Sequence, residues 1–206
     1  MKFNPCRWVA AGLLLAIVVA MLAPVRTANA VVSTQPSTPE QKAKVLLDRL
    51  SPREKVGQLF LVTFKGRQIG NETQIYELIV NRRVGGVVFR SANDNFTGPN
   101  DTLAEAYRLT TELQTTVFES SQIEIRDPLT RQSFNPQYIP LFIAVSQEGD
   151  GYPHDQILNG TTLLPNLMAI GATWKAELAQ AVGAVMGKEL QALGFNLYLG
   201  PSLDVL

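Results

Sequence analysis

The chain has 206 residues, of which 46% are hydrophobic and 17% charged, with 18 basic side chains against 18 acidic ones. That balance argues against the basic face on which a nucleic-acid binder depends. A single cysteine and a single histidine argue against a disulfide framework or a cysteine-built metal centre.

The N-terminus reads as a separate object. Lys2 and Arg7 give it a positive start, and Val9 to Leu22 is uncharged and largely apolar. Pro24 breaks that run, and Ala28-Asn29-Ala30 supplies a small-x-small cleavage pattern. These three parts predict a signal peptide over residues 1–30, cleaved after Ala30, and export to the periplasm or the medium. The alternative is an uncleaved membrane anchor, since Trp8 to Val25 approaches the ~18 apolar residues that a span requires. Pro24 and the Ala-x-Ala site favour cleavage, and Cys6 precedes the apolar run, which argues against a lipoprotein. Cleavage would leave 176 residues with 15 basic and 18 acidic side chains, a net charge of −3, and no cysteine. A buried core must then supply the stability.

Val31 to Pro39 is rich in Ser, Thr and Pro and reads as a linker. A helix is expected over Glu40–Leu50, carrying Val45, Leu46, Leu47 and Leu50. Ser51-Pro52-Arg53-Glu54 begins another, with Ser51 as the cap, Pro52 at the first helical position and Glu54 completing a capping box. Val56 to Phe64 then passes into a buried strand. Asn71–Asn81 fits a helix with Ile75, Leu78 and Ile79 inward, and Val84–Phe89 fits a second strand. Asp101 to about Phe118 is a longer helix with Leu103, Tyr107, Leu113 and Val117 near helical spacing. Glu119–Tyr138 has no clear period and contains Pro128 and Pro136, so a long loop is expected there. Leu141–Val145 is a third strand. Lys175–Leu193 is the clearest helix, with Leu178, Val182, Val185, Met186, Leu190 and Leu193 on one face and Gly194 as its stop. Phe195–Leu199 is the fourth strand.

Four apolar strands alternating with helices predict an α/β fold with a parallel sheet covered on its faces. The pattern by itself permits an open doubly wound sheet or a (β/α)8 barrel. A nucleotide site is disfavoured, because Gly85-Gly86 lies inside a strand and not in the turn that a pyrophosphate needs. The third and fourth strands both end in polar clusters, Ser146-Gln147-Glu148-Gly149-Asp150-Gly151 and Gly200-Pro201-Ser202-Leu203-Asp204. Barrel enzymes keep their sites at that end of the strands.

Three segments together resemble the N-terminal domain of glycoside hydrolase family 3. They are Leu50–Phe60, Val84–Phe89, and a long third block. The third block runs from Gln147-Glu148-Gly149 through Leu163-Leu164-Pro165-Asn166-Leu167-Met168-Ala169-Ile170-Gly171-Ala172 and Gly187-Lys188-Glu189-Leu190 to Pro201-Ser202-Leu203-Asp204-Val205. The Gln-Glu-Gly start and its continuation point to the bacterial β-N-acetylglucosaminidase branch. The resemblance implies the first half of a (β/α)8 TIM barrel, about four parallel βα units over residues 40–206. It also implies hydrolysis of β-linked N-acetylhexosamine or glucose by a retaining mechanism, with a carbohydrate as the partner and no metal or organic cofactor. A retaining pair of carboxyls would stand ~5–5.5 Å apart, although this branch resembles enzymes that use a histidine paired with an aspartate as acid/base.

Two departures from the pattern are legible. A barrel has eight strands and ~250 residues, and the Lys-His-Phe-Pro-Gly-His-Gly segment and the later strand bearing the nucleophilic aspartate are not found. The sequence is therefore expected to be a fragment with no catalytic residue of its own. In addition, Ser146 stands where the family usually has an aspartate that hydrogen-bonds sugar hydroxyls. Ungapped counting places His154 where the branch has a sugar-binding arginine.

The substrate-binding candidates are Ser146, Glu148, His154 and Asp204. Each has a plainer reading beside it: Ser146 a turn residue, Glu148 a brace for loop backbone, Asp204 a structural strand-end carboxylate, His154 a loop residue without a carboxylate partner. Ser146, Asp150 and His154 do not make a hydrolase triad, since the Gly-x-Ser-x-Gly elbow is missing. Trp174 is expected in the core. Asn71, Asn95, Asn100 and Asn159 head Asn-x-Thr sequons and are expected in surface loops. The leading function is an exported glycoside hydrolase; the alternatives are a non-catalytic sugar-binding remnant and an inactive gene fragment with exposed strand edges.

Overall fold

The computed structural model describes residues 38–96, 101–126 and 131–202. The expected signal over 1–30, residues 31–37 of the linker, Asn100 and Asp204 all lie outside the described residues. Helix α1, Pro39–Arg49, starts at the last residue of the expected linker and buries none of its own side chains. Leu50, just past its end, is the residue that reaches the core. Helix α2, Pro52–Gly57, carries the expected capping box. The Ser51 N–H donates to Glu54 Oε2 (2.8 Å) and the Glu54 N–H donates to Ser51 Oγ (3.2 Å).

The remaining elements are β1 Leu61–Thr63, α3 Gln74–Val80, β2 Gly86–Val88, α4 Thr102–Ser121, β3 Ile125–Arg126, β4 Ser133–Phe134, β5 Phe142–Val145, α5 Leu167–Ala172, α6 Ala176–Ala192 and β6 Leu197–Tyr198. Strands β1, β2, β5 and β6 form one parallel sheet in that order. Each strand lies beside the next parallel strand in the chain, with a helical crossover between them. Such sequential order is that of successive βα units in a (β/α)8 barrel, whereas a doubly wound sheet reverses direction at a switch point. Strands β1 and β6 are the edges, and the described residues do not close the sheet.

The register explains which side chains are buried. Phe64, Val87, Phe89, Ile143 and Val145 point to the helix-covered face and are at most 3% exposed. Phe89 is the hub of this layer, with edge-on ring contacts to Phe64 (5.6 Å) and Phe195 (5.2 Å). Ala106, Leu109, Leu113 and Val117 form one stripe of α4 against it. Burying each large apolar side chain contributes about 1.5–3 kcal/mol. Gly86 belongs to the opposite face, where a Cβ would lie 2.4 Å from the Phe142 carbonyl and 2.6 Å from Leu61 Cδ2. That close approach is why glycine stands inside the strand.

Several expectations change. The face opposite the helices is only partly covered among the described residues: Leu61 and Phe142 are 45% and 54% exposed there, while Gly86 and Ala144 are buried. The first strand is thus an edge and not a buried strand. The stripe of α6 is only partly covered: Leu190 within the helix and Leu193 just past it are buried, Val182 and Met186 are half-buried, and Leu178 and Val185 are exposed. Trp174 is 94% exposed, not core, at a left-handed φ of 56°. Tyr107 is exposed, and Leu109 takes the inward position on α4. The expected loop 119–138 holds the end of α4 and the antiparallel pair β3–β4, whose two-residue strands are too short to show a period. Asn95 is fully buried, not on a surface loop; it accepts the Arg90 N–H and donates to the carbonyls of Phe64 and Gly66. Helix α5, capped by Asn166, had no predicted counterpart. No helix among the described residues is long and apolar enough to cross a membrane.

Candidate functional site

Strand β5 delivers the chain to Ser146, and residues 146–157 form a loop that returns upon itself. Gln147, buried at the strand end, closes it by pairing with a backbone as a strand would. Its amide donates to the Ile157 carbonyl (2.9 Å), and its Oε1 accepts the Ile157 N–H (3.0 Å). The Ser146 carbonyl accepts the Gln156 N–H (3.2 Å).

Asp155 holds the middle of the loop. It is 6% exposed, and its carboxylate accepts backbone N–H groups from Glu148, Gly149 (2.9 Å) and Gly151 (2.9 Å). Three amides aimed at one carboxylate satisfy a buried charge that would otherwise be costly. Gly149 makes the turn at a φ of 86°, and a Cβ there would lie 3.0 Å from the Pro165 carbonyl. Both the backbone angle and the space therefore require glycine.

Strand β6 is held to β5 by more than its two-residue ladder. Asn196 Oδ1 accepts the Ile143 N–H (2.7 Å), and its Nδ2 donates to the Leu141 carbonyl (2.9 Å). The Tyr198 hydroxyl donates to the Gln147 carbonyl (2.7 Å). Burial, aided by the negative charges of Glu148 and Asp155, raises the Tyr198 pKa above the ordinary tyrosine range. Glu148, 9% exposed, accepts the Ser202 N–H on Oε1 (3.2 Å).

The four sequence candidates are placed as follows. Ser146 is half-buried at the β5 end, and Glu148 lies two residues on, facing the loop after β6. His154 is exposed on the same loop, with no hydrogen bond or ion pair among the described residues, so no triad assembles with Ser146 and Asp150. Asp204 is outside the described residues, two positions beyond Ser202. Sequence reasoning missed Asp155, Gln147, Asn196 and Tyr198, which shape the mouth. The one available signal was a carboxylate closely following the Gly149-Asp150-Gly151 turn.

A cavity of about 150 Å³ lies beneath the loop, lined by Gln147, Gly149, Asp155, Leu164, Met186 and Glu189 among others. Next to it a groove of about 790 Å³ runs between α5, α6 and β6, lined by Ile170, Val182, Met186, Phe195 and Tyr198 among others. No group of three or more His, Cys, Asp or Glu residues converges to hold a metal ion among the described residues.

The profile of the glycosyl hydrolase family 3 N-terminal domain matches residues 51–206. The chain belongs to that family. A beta-hexosaminidase A of Pseudoalteromonas piscicida is 30% identical over 135 residues, covering 64% of this chain and 19% of that protein. A beta-hexosaminidase of Chromobacterium violaceum is 38% identical over 71 residues, or 32% of this chain and 19% of its own. Among solved structures, the family 3 beta-N-acetylglucosaminidase of Paenibacillus sp. str. FPU-7 superposes with a TM-score of 0.60 at 32% identity, covering 76% of this chain and 25% of that one. The beta-N-acetylhexosaminidase of Beutenbergia cavernae superposes with a TM-score of 0.54 at 27% identity, covering 76% and 39%. This family 3 chain thus spans about a fifth of the curated relatives it matches.

Proposed function

We propose that this chain builds one wall of the sugar site of a glycoside hydrolase that acts on β-linked N-acetylhexosamine, or glucose, by a retaining mechanism. The observation that carries the reading is the Glu148–Ser202 hydrogen bond, which gathers the ends of β5 and β6 into one mouth in a family 3 chain. Ser146, Glu148, His154 and Asp204 supply contacts to a carbohydrate, and no metal or organic cofactor takes part. The beta-hexosaminidase names of the curated relatives favour N-acetylhexosamine.

Nucleophile and acid/base are assigned to none of these residues. A nucleophilic carboxylate must reach the anomeric carbon, and an acid/base must reach the leaving oxygen. Asp155 is saturated by three backbone amides and Glu148 braces Ser202, while His154 meets no orienting carboxylate among the described residues. That engagement favours a second reading for these residues taken alone, a non-catalytic sugar-binding wall. The proposal includes export, with residues 1–30 removed and Val31 as the new N-terminus.

The test has two arms, run on the 206-residue chain. Ligand-observed NMR should detect binding of methyl β-N-acetylglucosaminide; no binding would remove the sugar site. Aryl β-N-acetylglucosaminide and aryl β-glucoside should not be turned over. Turnover that follows the chain through purification and vanishes with Asp204→Asn or His154→Ala would move catalysis into these residues.

A further inference from the structure

The parallel sheet has two open edges and one partly bare face. Neither β1 nor β6 has a strand on its outer side among the described residues. Two rows of side chains cross the face turned away from the helices. Leu61, Gly86 and Phe142 make one; Thr63, Val88 and Ala144 make the other, with Leu197 of β6 level with them. Neither row contains a charge, and Thr63 is the only polar side chain in them. Leu61 and Phe142 crowd the space over Gly86, yet both stay exposed. A parallel sheet with so apolar a second face needs cover on both sides.

Apolar exposure also collects at the two edges. In the segment leading into β1, Val56, Leu59 and Phe60 are exposed. At the other edge Tyr198 and Leu199 are exposed. Beside them lies the groove of about 790 Å³ between α5, α6 and β6, lined by Ile170, Val182, Met186 and Phe195 among others. Contiguous apolar surface of this kind marks an interaction site. A partner that met one edge alone would leave the other bare.

We propose that two copies of this chain close into one eight-stranded barrel, β6 of each copy pairing with β1 of the other. The strands follow one another in chain order and all run parallel, as successive units of a (β/α)8 barrel do. The described residues supply four of the eight strands, and a second copy supplies four more. A two-fold axis along the barrel keeps all eight parallel. The two seams are one contact made twice, so the assembly closes and leaves no edge. The uncharged rows of both copies then meet inside, where such barrels pack side chains in layers. Each edge that one copy exposes is the edge that the other lacks, which selects a second copy over an unrelated chain. Strand β5 and its counterpart stand on opposite sides of this barrel. Their two Ser146–Glu148 loops therefore face each other across a single mouth.

Sedimentation velocity of the 206-residue chain should give twice its mass of 22.6 kDa. Leu61→Lys puts a charge inside the closed barrel but at an exposed position of the single chain. It should raise the dimer dissociation constant about 100-fold or more, with circular dichroism reporting an intact fold. Cross-linking identifies the seam. In a Cys6→Ser background, Thr63→Cys and Leu197→Cys lie at one level on the two edges. A short bismaleimide should join these two variants when they are mixed. It should join neither variant to itself, because the two copies of any one strand stand across the barrel from each other. A chain that stays monomeric would overturn the proposal and leave both edges to another chain or to further βα units. Association untouched by Leu61→Lys, open-ended oligomers, or cross-linking within a single variant would overturn it too.

Discussion

Glu148 Oε1 and the backbone N–H of Ser202 are 3.2 Å apart, and this bond joins the loop after β5 to the loop after β6. The two strands themselves pair over only two residues, Ala144↔Leu197 and Val145↔Tyr198. The mouth therefore depends on side chains that reach backbone, and its integrity can be tested one residue at a time. Glu148→Ala should speed amide hydrogen exchange at Ser202 by about tenfold or more, the equivalent of ~1.4 kcal/mol of local protection. NMR-detected exchange measures this directly; an unchanged rate would mean that Ser202 is held by something else.

Asp155 should be the most sensitive position of the site loop. Its carboxylate receives three N–H bonds while 6% exposed. Asp155→Ala leaves those donors unpaired and should cost about 3–5 kcal/mol, with Asp155→Asn about half as severe because one acceptor oxygen remains. Thermal melts followed by circular dichroism should show the ranking wild type, then Asp155→Asn, then Asp155→Ala.

Two glycines in the same loop separate backbone strain from crowding. Gly149 and Gly151 both have left-handed φ, 86° and 74°, but only Gly149 has a neighbour in the way of a Cβ, the Pro165 carbonyl at 3.0 Å. Gly151→Ala should cost about 1 kcal/mol and Gly149→Ala about 2–3 kcal/mol. Urea denaturation of both variants checks the order, and equal losses would refute the crowding argument.

At the other end of the sheet Arg83 is buried, with its guanidinium donating to Ser120 Oγ (2.9 Å) and to the Ser120 carbonyl (3.3 Å). Its Nε has no partner among the described residues, and burial lowers its pKa against the opposing pull of Glu54. Glu54 in turn accepts the Gln137 N–H (3.0 Å), which fastens the segment before β5 to α2. Arg83→Met should destabilise the chain by about 1–3 kcal/mol, by leaving Ser120 without its donor and Glu54 without a nearby opposite charge. Combining it with Glu54→Gln should recover part of that loss, an interaction that a double-mutant cycle measures.

Tyr198 gives the site a signature at high pH. Its folded pKa is raised, first by burial and then by Glu148 and Asp155, so the folded chain holds the phenolic proton more tightly than the unfolded chain. The corresponding stability is fully present below the unfolded value of about 10 and is lost as pH rises through the folded pKa. Denaturation midpoints should therefore fall more steeply above pH ~10 in the wild type than in Tyr198→Phe. Parallel slopes would mean that the hydroxyl is free in solution.

Local signals in the sequence proved reliable where the physics is local. The capping box of α2 and the stop at Gly194, φ 89°, involve residues within a few positions of one another. The four parallel strands were legible because apolar runs bounded by polar switches need no partner to be recognised. The polar switch at the end of β5 was legible for the same reason, and it brought Ser146, Glu148 and His154 into consideration together.

What the sequence by itself determined, then, is the succession of strands and helices, the family, and the end of the sheet at which the polar residues collect. Tertiary structure decided the rest. Burial depends on what covers a surface, so Trp174, Leu178 and Val185 are exposed despite apolar spacing, and Asn95 is buried despite its sequon. Hydrogen-bond roles depend on which backbone a carboxylate reaches. Asp155 therefore became the anchor of the loop, Glu148 a brace between two strand ends, and His154 a side chain without a partner among the described residues. Distance along the chain carries no record of these contacts. Val88 and Ala144 are 56 positions apart in sequence and neighbours only because β2 and β5 pair in parallel at one particular register.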